Sequence, residues 1–343
     1  MTVDQFPDRT IVENGKTYLY FGGTNYLGMA THQHFQQLLF ESVKKWGTAY
    51  GSSRNSNIKL KVYDEAEVLL AKNCHAEAAL TVSSGSLAGK LVIDQLSASH
   101  NLFFHYPKTH PAILKKSSLP LFVDGNLHPR LTDTSHESVV IAADAIVSLA
   151  VRATNFEFLN NIAPNKKVTL LLDESHSLGV LGTDGMGIFK EINHPVLFQK
   201  IMISSLTKAY GCSGGVIVGP QNVIKSIQDE ANFISASGMN PIFLQSYVDA
   251  QHLFQTQLEK LKKNLKKVFG NANLPSHFNY DENYPVIYSS SNSIFNDLKS
   301  KDIIITNFKY PNYEVMMNRI VITANHTSTD LEQLKSALML SKP

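Results

Sequence analysis

The sequence has few cysteines and no long apolar segment. Its two cysteines in 343 residues, Cys74 and Cys212, lie far apart, which argues against a disulfide framework and a paired-cysteine metal site. No run of about 18 apolar residues occurs, and the N-terminal stretch MTVDQFPDRTIVENGK lacks the apolar region of a secretory signal. We therefore expect a cytoplasmic protein without a membrane span.

The sequence also lacks an excess of charge of either sign. There are 31 Lys plus Arg residues and 29 Asp plus Glu residues, a formal net charge of +2, so a basic surface for nucleic acid is not expected. By contrast, 43% of the residues are hydrophobic and 17% are charged, which is typical of a globular protein with a large core.

Short apolar runs alternate with helical stretches between residues 78 and 220. Runs this short, rich in Val, Ile, Leu and Phe, are typical of strands buried on both faces of a mostly parallel sheet. They read AALTVSS, NLFFHY, LPLFVDG, SVVIAADAIVSLAV, VTLLLDE, IMISSL and GGVIVGP. The pattern predicts an α/β fold with helices between the strands.

Helical spacing of apolar residues predicts helices at about 31–46, 62–74 and 243–268. The last of these leads to a smaller α+β unit, in which PVIYSS, DIIITNF and RIVITAN are predicted strands and 329–340 is a closing helix. We predict three parts: an N-terminal arm over 1–22, a large domain over 23–235, and a segment over 236–343 that holds the long helix and the small domain.

Small and hydroxyl-bearing residues follow the predicted strand ALTV in SSGSLAGK, residues 83–90. Free backbone N–H groups at a helix N-terminus, with Gly85 allowing close approach, form a site for a phosphate. Taken alone, the motif also fits a purely structural turn.

Asp173 and His176 follow the apolar strand in VTLLLDESHS. A carboxylate at such a strand end is poorly hydrated and needs a cationic or protonated partner. The alternatives are a helix cap beside a structural histidine, and a metal pair. No third ligand lies at a recognisable spacing, so we expect no metal.

Lys208 follows a third strand in KIMISSLTKAYGCSGG. A lysine near an apolar strand end loses hydration, which lowers its pKa towards a reactive range. A phosphate site, a carboxylate and a desolvated lysine, in this order along the chain, are the groups that pyridoxal phosphate requires. The combination is more specific than any of its parts.

The sequence resembles the α-oxoamine synthases, a family of fold type I pyridoxal-phosphate enzymes. The resemblance runs from TNYLG at 24–28 to RIVITANHT at 319–327, and DESHSLGVLGTDGMG at 173–187 is its most discriminating part. It implies an aspartate aminotransferase-like fold, with a large domain built on a mostly parallel sheet and a smaller α+β C-terminal domain.

The resemblance also implies a role for each matching residue. Lys208 forms the Schiff base with the cofactor, Asp173 bonds the ring nitrogen, and His176 reaches the phenolic oxygen. His110, in KTHPAI, stacks on the ring face and shares catalysis with Lys208 and Asp173. The other cofactor contacts are implied for Ser84, Gly85, Ser86, Ser148, Ser205 and, across the interface of a homodimer with a shared active site, Ser237.

Substrate contacts are implied for Asn25 in TNYLG, Arg54 in GSSR and Lys309 in NFKYPNYE. Lys309 stands where the family has an arginine that clamps the substrate carboxylate, and lysine offers a point charge instead of a two-pronged fork. Gly89 stands where the family commonly has an asparagine.

The reaction that the resemblance implies is the decarboxylative condensation of a small amino acid with an acyl-CoA or an acyl carrier protein. We expect L-alanine and a pimeloyl thioester, as in biotin synthesis. The alternatives are glycine C-acetyltransferase activity, another fold type I reaction such as transamination or aldol cleavage, and a non-catalytic partner subunit.

Overall fold

The computed structural model describes residues 1–270, 273–309 and 316–342. They form two compact units: one combines Met1–Gln33 with the chain from His252 onward, and the other is His34–Gln251. The predicted arm, 1–22, thus belongs to the same unit as the C-terminal segment, and the sequence-based boundary at 235/236 lies inside the second unit. Local sequence patterns do not reveal which distant strands pair, so they could not indicate this grouping.

The chain begins with an antiparallel hairpin of strands β1 (Thr10–Glu13) and β2 (Lys16–Phe21). Its two-residue turn is Asn14-Gly15, and both residues have positive φ, 51° and 76°. Asn-Gly is the favoured sequence for this type of tight turn. The strand-like pattern at residues 18–21 is therefore the second strand of a hairpin.

The unit His34–Gln251 holds the larger sheet and the helices that cover it. Its helices are α1 (Gln33–Trp46), α2 (Lys61–Asn73), α3 (Gly85–Ser99), α4 (Pro129–Thr132), α5 (Gln221–Gln228), α6 (Ala231–Ser235) and α7 (Pro241–Asp249). Its strands are β3 (Ala78–Val82), β4 (Leu102–His105), β5 (Leu119–Pro120), β6 (Phe122–Val123), β7 (Asn126–Leu127), β8 (Glu137–Asp144), β9 (Lys166–Asp173), β10 (Leu197–Ser205) and β11 (Gly215–Gly219).

Seven of these strands form one sheet in the order β3-β11-β10-β9-β8-β4-β5. Strand β11 is antiparallel to both of its neighbours, and the other pairs are parallel. Helix α3 packs Leu91 and Val92 into a core that includes Ile203 and Ile217 of the sheet. The prediction of an α/β fold with a mostly parallel sheet is confirmed.

The other unit contains a second sheet and three further helices within the described residues. Its later elements are α8 (Gln251–Phe269), β12 (Phe278–Tyr280), β13 (Val286–Ser289), α9 (Ile294–Lys299), β14 (Ile303–Lys309), β15 (Met316–Val321) and α10 (Ser328–Met339). The sheet order is β1-β2-β14-β15-β13-β12. Strand β14 lies parallel to β2, which attaches the N-terminal hairpin to this sheet.

The prediction of one helix over 243–268 is wrong in one respect. The segment forms two helices, α7 and α8, which are separated at Ala250 (φ −93°, ψ 9°). Ala250 is fully buried, so the apolar pattern continues across the break and conceals it. The run SVVIAADAIVSLAV is strand only as far as Asp144. In the described part of the chain, no helix combines the length and apolar character needed to cross a membrane.

Candidate active site

The larger sheet brings most of the predicted cofactor residues to one edge. Strands β3, β4, β8, β9 and β10 run in the same direction, so their C-terminal ends meet there, where α/β sheets bind their ligands. The residues that end or follow these strands are Ser84, Gly85, Ser86, His110, Ser148, Asp173, His176, Ser205 and Lys208.

The predicted phosphate turn is the start of helix α3. Ser84 is its N-cap, and the Ser84 hydroxyl oxygen accepts a hydrogen bond from the Leu87 N–H at 3.1 Å. The turn packs tightly on the sheet: a Cβ at Gly85 would lie 3.0 Å from the Cβ of Ser205, and one at Gly215 would lie 2.4 Å from the carbonyl carbon of Ser84. A side chain at Gly215 would therefore collide with the backbone of the turn, and one at Gly85 would fit only if its neighbours shifted. The first turn of α3 presents backbone N–H groups suited to a phosphate.

Asp173 is a buried carboxylate at the end of β9, with only 7% of its surface exposed. Its Oδ1 accepts a hydrogen bond from the Ser175 N–H at 2.8 Å. The Ser175 hydroxyl oxygen accepts one from the Ser205 N–H at 2.9 Å. These bonds fix the carboxylate beside the end of β10, where it can serve as the counter-charge for a protonated ring nitrogen.

Lys208, His176 and Ser148 are half-buried at the same edge. Lys208 lies beyond the end of β10, and its positive charge opposes the rise in the pKa of the Asp144 carboxyl. Ser148 lies in the turn after β8, next to Leu149 at a φ of 66°. The structure thus brings the lysine, the histidine and the hydroxyl of the prediction to the strand ends.

His110 follows β4 and precedes a single 3₁₀ turn, Pro111–Ile113. Its backbone N–H donates to Oδ2 of Asp144 at 2.8 Å, and its Nδ1 accepts from the Ala112 N–H at 3.2 Å. The residue is exposed, so its imidazole is accessible to a ring bound at this edge.

Asp144 is a functional candidate that the sequence did not reveal. It ends β8 opposite Asp173 in the parallel register, and it is 6% exposed. Burial and the charge of Asp173 raise the pKa of Asp144 well above its ordinary value, while the His110 N–H and the charge of Lys208 oppose the rise. In the sequence it stands inside an apolar run without a neighbouring motif, so there was no signal to find it.

Glu174 is a second buried acid outside the prediction. Its Oε1 accepts hydrogen bonds from the N–H groups of Ile188 and Phe189 at 2.8 and 2.6 Å, and its Oε2 accepts one from the Ser177 hydroxyl. Burial raises the pKa of Glu174 to about 7. A Cβ at Gly187 would lie 2.4 Å from Oε2, so the acid and the glycine of DESHSLGVLGTDGMG hold one loop closed.

Arg54 has structural contacts where the sequence led us to expect a substrate contact. Its Nη1 and Nη2 donate to the Glu67 carboxylate at 2.7 and 3.0 Å, and Nη1 also donates to the Thr81 carbonyl at 3.0 Å. The guanidinium stacks on Tyr63, 4.0 Å from the ring centroid. Because both side chains of the ion pair are only 10% exposed, any substrate would have to compete with these contacts.

Ser237 does not lie at the strand ends and is exposed between α6 and α7. A Cβ at the next residue, Gly238, would lie 2.8 Å from the Tyr63 hydroxyl, and that hydroxyl donates to the Met239 carbonyl at 2.7 Å. The segment SASGMNP is therefore docked on α2. The role of Ser237 across a dimer interface stays a prediction.

Two further predicted substrate residues, Asn25 and Lys309, belong to the first unit. Lys309 is exposed at the end of β14. On β15, Arg319 donates from Nη2 to the Gly23 carbonyl at 3.2 Å. Among the described residues, Nε of Arg319 and Nδ2 of Asn25 are buried donors without a hydrogen-bond partner. Each of these donors is suited to an oxyanion such as a carboxylate.

A family model described as aminotransferase class I and II matches residues 151–338. The 8-amino-7-oxononanoate synthase of Lysinibacillus sphaericus is 26% identical over 269 residues, which cover 75% of this chain and 68% of that protein. A Rippkaea orientalis protein provisionally given the same name is 25% identical over 357 residues, which cover 98% of this chain and 93% of its own. These relatives agree with the resemblance inferred from DESH and its companion motifs.

A solved structure with the same fold is serine palmitoyltransferase from S. paucimobilis with a bound PLP–myriocin aldimine. Its TM-score is 0.81 at 16% identity, over 98% of this chain and 91% of that one. The sequence-based prediction of fold and family is confirmed, because the family model matches more than half of the chain. The chain belongs to the aminotransferase class I and II family of fold type I pyridoxal-phosphate enzymes, and within it to the α-oxoamine synthases.

Proposed function

We propose that this protein is a pyridoxal-phosphate-dependent acyltransferase that condenses a small amino acid with an acyl-CoA, giving an α-amino ketone, CO₂ and free CoA. The observation that carries the proposal is the meeting of Asp173, Lys208 and the N-terminus of α3 at one edge of the sheet. These three groups match the ring nitrogen, the aldehyde and the phosphate of the cofactor.

The residues at this edge fit the cofactor in both charge and shape. Gly85 and Gly215 leave room for the tight turn that presents backbone N–H groups to the phosphate. Ser84, Ser86 and Ser205 add hydroxyls there, and Ser148 and His176 supply donors for the phenolic oxygen. His110 would cover the open face of the ring.

The bound cofactor supplies an electron-accepting ring, which stabilises the negative charge that develops at the amino acid's Cα. Asp173, as a carboxylate, holds a proton on the ring nitrogen and so keeps the ring electron-deficient. The Lys208 amine removes the α-proton and can return a proton at the end of the reaction. His110 orients the substrate above the ring.

We assign recognition of the substrate carboxylate to Arg319 in place of Lys309. Among the described residues, Nε of Arg319 is buried and has no hydrogen-bond partner. Nη2 of the same side chain donates to the carbonyl of Gly23, which lies two residues before Asn25. Its planar fork suits a carboxylate better than the exposed Lys309. Arg319→Gln should raise KM for the amino acid about tenfold or more, whereas Lys309→Gln should change it less than about twofold.

We propose L-alanine and pimeloyl-CoA as the substrates, because the relatives at about a quarter identity carry the name 8-amino-7-oxononanoate synthase. Glycine with an acetyl donor is the alternative within the family. Serine with a long-chain acyl-CoA is a further candidate, since a serine palmitoyltransferase has the same fold. We further propose a cytoplasmic homodimer with Ser237 at the partner's phosphate site.

The test is a substrate-pair assay. The holoenzyme is incubated with L-alanine and pimeloyl-CoA, glycine and acetyl-CoA, or L-serine and palmitoyl-CoA, while free CoA thiol is measured and the ketone is identified by mass spectrometry. The alanine pair should be used most efficiently, and Lys208→Ala should abolish thiol release. Conversion of the cofactor to its amine form without thiol release would indicate transamination. An intact cofactor with no turnover would favour a non-catalytic subunit.

A further inference from the structure

Asp144 is a buried carboxyl group that the proposed reaction does not use. Its Cα is the register partner of Asp173 across the parallel pair β8 and β9. Register partners in a parallel pair project to the same face of the sheet, about 5 Å apart. The two carboxyl groups therefore share one environment, at a point where an uncompensated buried charge is costly.

The side chain of Asp144 forms a hydrogen bond to the loop that carries His110. Its Oδ2 accepts from the His110 backbone N–H at 2.8 Å. The same loop is tied to β8 one residue earlier, where the Thr109 hydroxyl donates to the Ala142 carbonyl at 3.3 Å. The end of β8 thus sets the position of the loop after β4.

The opposite side of the His110 loop is fixed by helix α3. A Cβ at Gly89 would lie 2.2 Å from the Ala112 carbonyl oxygen, so the loop lies directly on the helix backbone. His110 is exposed, and its Nδ1 accepts a hydrogen bond from the Ala112 N–H within the same loop. Its position therefore follows that of the loop, which rests on α3 and is held by Asp144 at the His110 backbone N–H.

We propose that Asp144 is a positioning residue, whose carboxyl oxygen holds the backbone of His110 and thereby places its imidazole over the cofactor ring. The inference rests on the proposed function of this edge. A protonated Asp144 can accept the same hydrogen bond through its carbonyl oxygen, and it leaves Asp173 as the single negative charge for the ring nitrogen. Burial and the neighbouring Asp173 favour this protonated form.

The first test uses hydrogen exchange in the cofactor-free protein. Asp144→Leu keeps the branched shape of the side chain but removes the acceptor, and Asp144→Asn keeps an acceptor oxygen without a charge. The peptide spanning 105–113 should exchange at least about tenfold faster in Asp144→Leu and at the wild-type rate in Asp144→Asn. Thr154→Val is the matched control, because the Thr154 hydroxyl donates to the Asp144 backbone carbonyl at 2.6 Å and does not contact His110. Unchanged exchange in Asp144→Leu would overturn the proposal.

The second test is a double-mutant cycle with His110→Ala in the holoenzyme. Asp144→Leu and His110→Ala should shift the visible spectrum of the bound cofactor in the same way. Combining them should reduce kcat/KM no further than His110→Ala alone. Multiplicative losses would show that Asp144 acts independently of His110. If wild-type protein turned over no substrate pair, the proposed function would fail, while hydrogen exchange and the cofactor spectrum would still decide the role of Asp144.

Discussion

Asp144 and Asp173 end neighbouring parallel strands at the same register and are both buried. Two like charges so close together, away from water, oppose one another. We propose that the two carboxyl groups have different roles: Asp173 carries the charge that the cofactor ring requires, and Asp144 holds the loop of His110.

Asp173→Asn tests this division of duties. A neutral amide cannot keep the ring nitrogen protonated, so the variant should retain part of its cofactor and lose at least about 100-fold in kcat. The parallel change Asp144→Asn should cost less than about threefold, because the amide oxygen still accepts the His110 N–H. Thiol release under saturating substrate measures both. Full turnover in Asp173→Asn would contradict the assignment.

Gly89→Ala tests the packing beneath the His110 loop. The new Cβ would lie 2.2 Å from the Ala112 carbonyl oxygen, so the loop must shift away from α3. We expect kcat/KM to fall about tenfold, since small displacements of a catalytic group are costly, with cofactor content unchanged. Gly51→Ala is the control, because a Cβ there has no atom within 4 Å. Equal kinetics in the two variants would show that the close approach has no functional role.

Arg54→Met tests whether Arg54 is structural. Removal of the guanidinium leaves the Glu67 carboxylate buried without its cationic partner, which should lower the free energy of unfolding by about 3–5 kcal/mol. The double variant Arg54→Met/Glu67→Met should recover much of the loss. Urea unfolding measures both. A raised KM with unchanged stability in Arg54→Met would instead support the substrate contact expected from the sequence.

We expect the buried carboxyl group of Glu174 to make the free energy of unfolding depend on pH. Burial raises the pKa of Glu174 to about 7 in the folded protein, from an ordinary value of 4.5. The folded state thus favours the protonated acid. The contribution of Glu174 to the free energy of unfolding is fully present below about pH 4.5 and is lost as the pH rises through about 7. The total loss is roughly 3 kcal/mol.

The matched variant for this effect is Glu174→Gln. Its amide oxygen can accept the hydrogen bonds of Ile188 and Phe189, but it does not titrate. Urea unfolding between about pH 5 and pH 8 should show a smaller decline in stability for the variant than for the wild type. Identical declines would mean that the acid is ionised throughout this range.

The strands and the cofactor motifs could be predicted from sequence because each depends on local chemistry. The apolar run before Asp173 and the small residues around Gly85 identify a buried strand and a helix N-terminus without knowledge of partners. Asp144, by contrast, acquires its role from a strand paired across the sheet and from a loop 34 positions away. The break at Ala250 was concealed by the residue's own burial.

The environment of Arg54 could not be predicted from sequence either. The resemblance implies a substrate contact there, and in the folded chain the Glu67 carboxylate on α2 accepts hydrogen bonds from Nη1 and Nη2 of Arg54. Which cation is paired inside the protein depends on tertiary contacts. Arg319 is a similar case, because its buried Nε, which has no hydrogen-bond partner among the described residues, is visible only in the folded chain.

Borohydride reduction of the holoenzyme, followed by peptide mass spectrometry, tests whether Lys208 forms the Schiff base with the cofactor. We expect one pyridoxyl-phosphate adduct, on the peptide that contains Lys208, and none after the same treatment of Lys208→Ala. An adduct on another lysine, or no adduct in a protein that has bound the cofactor, would contradict it.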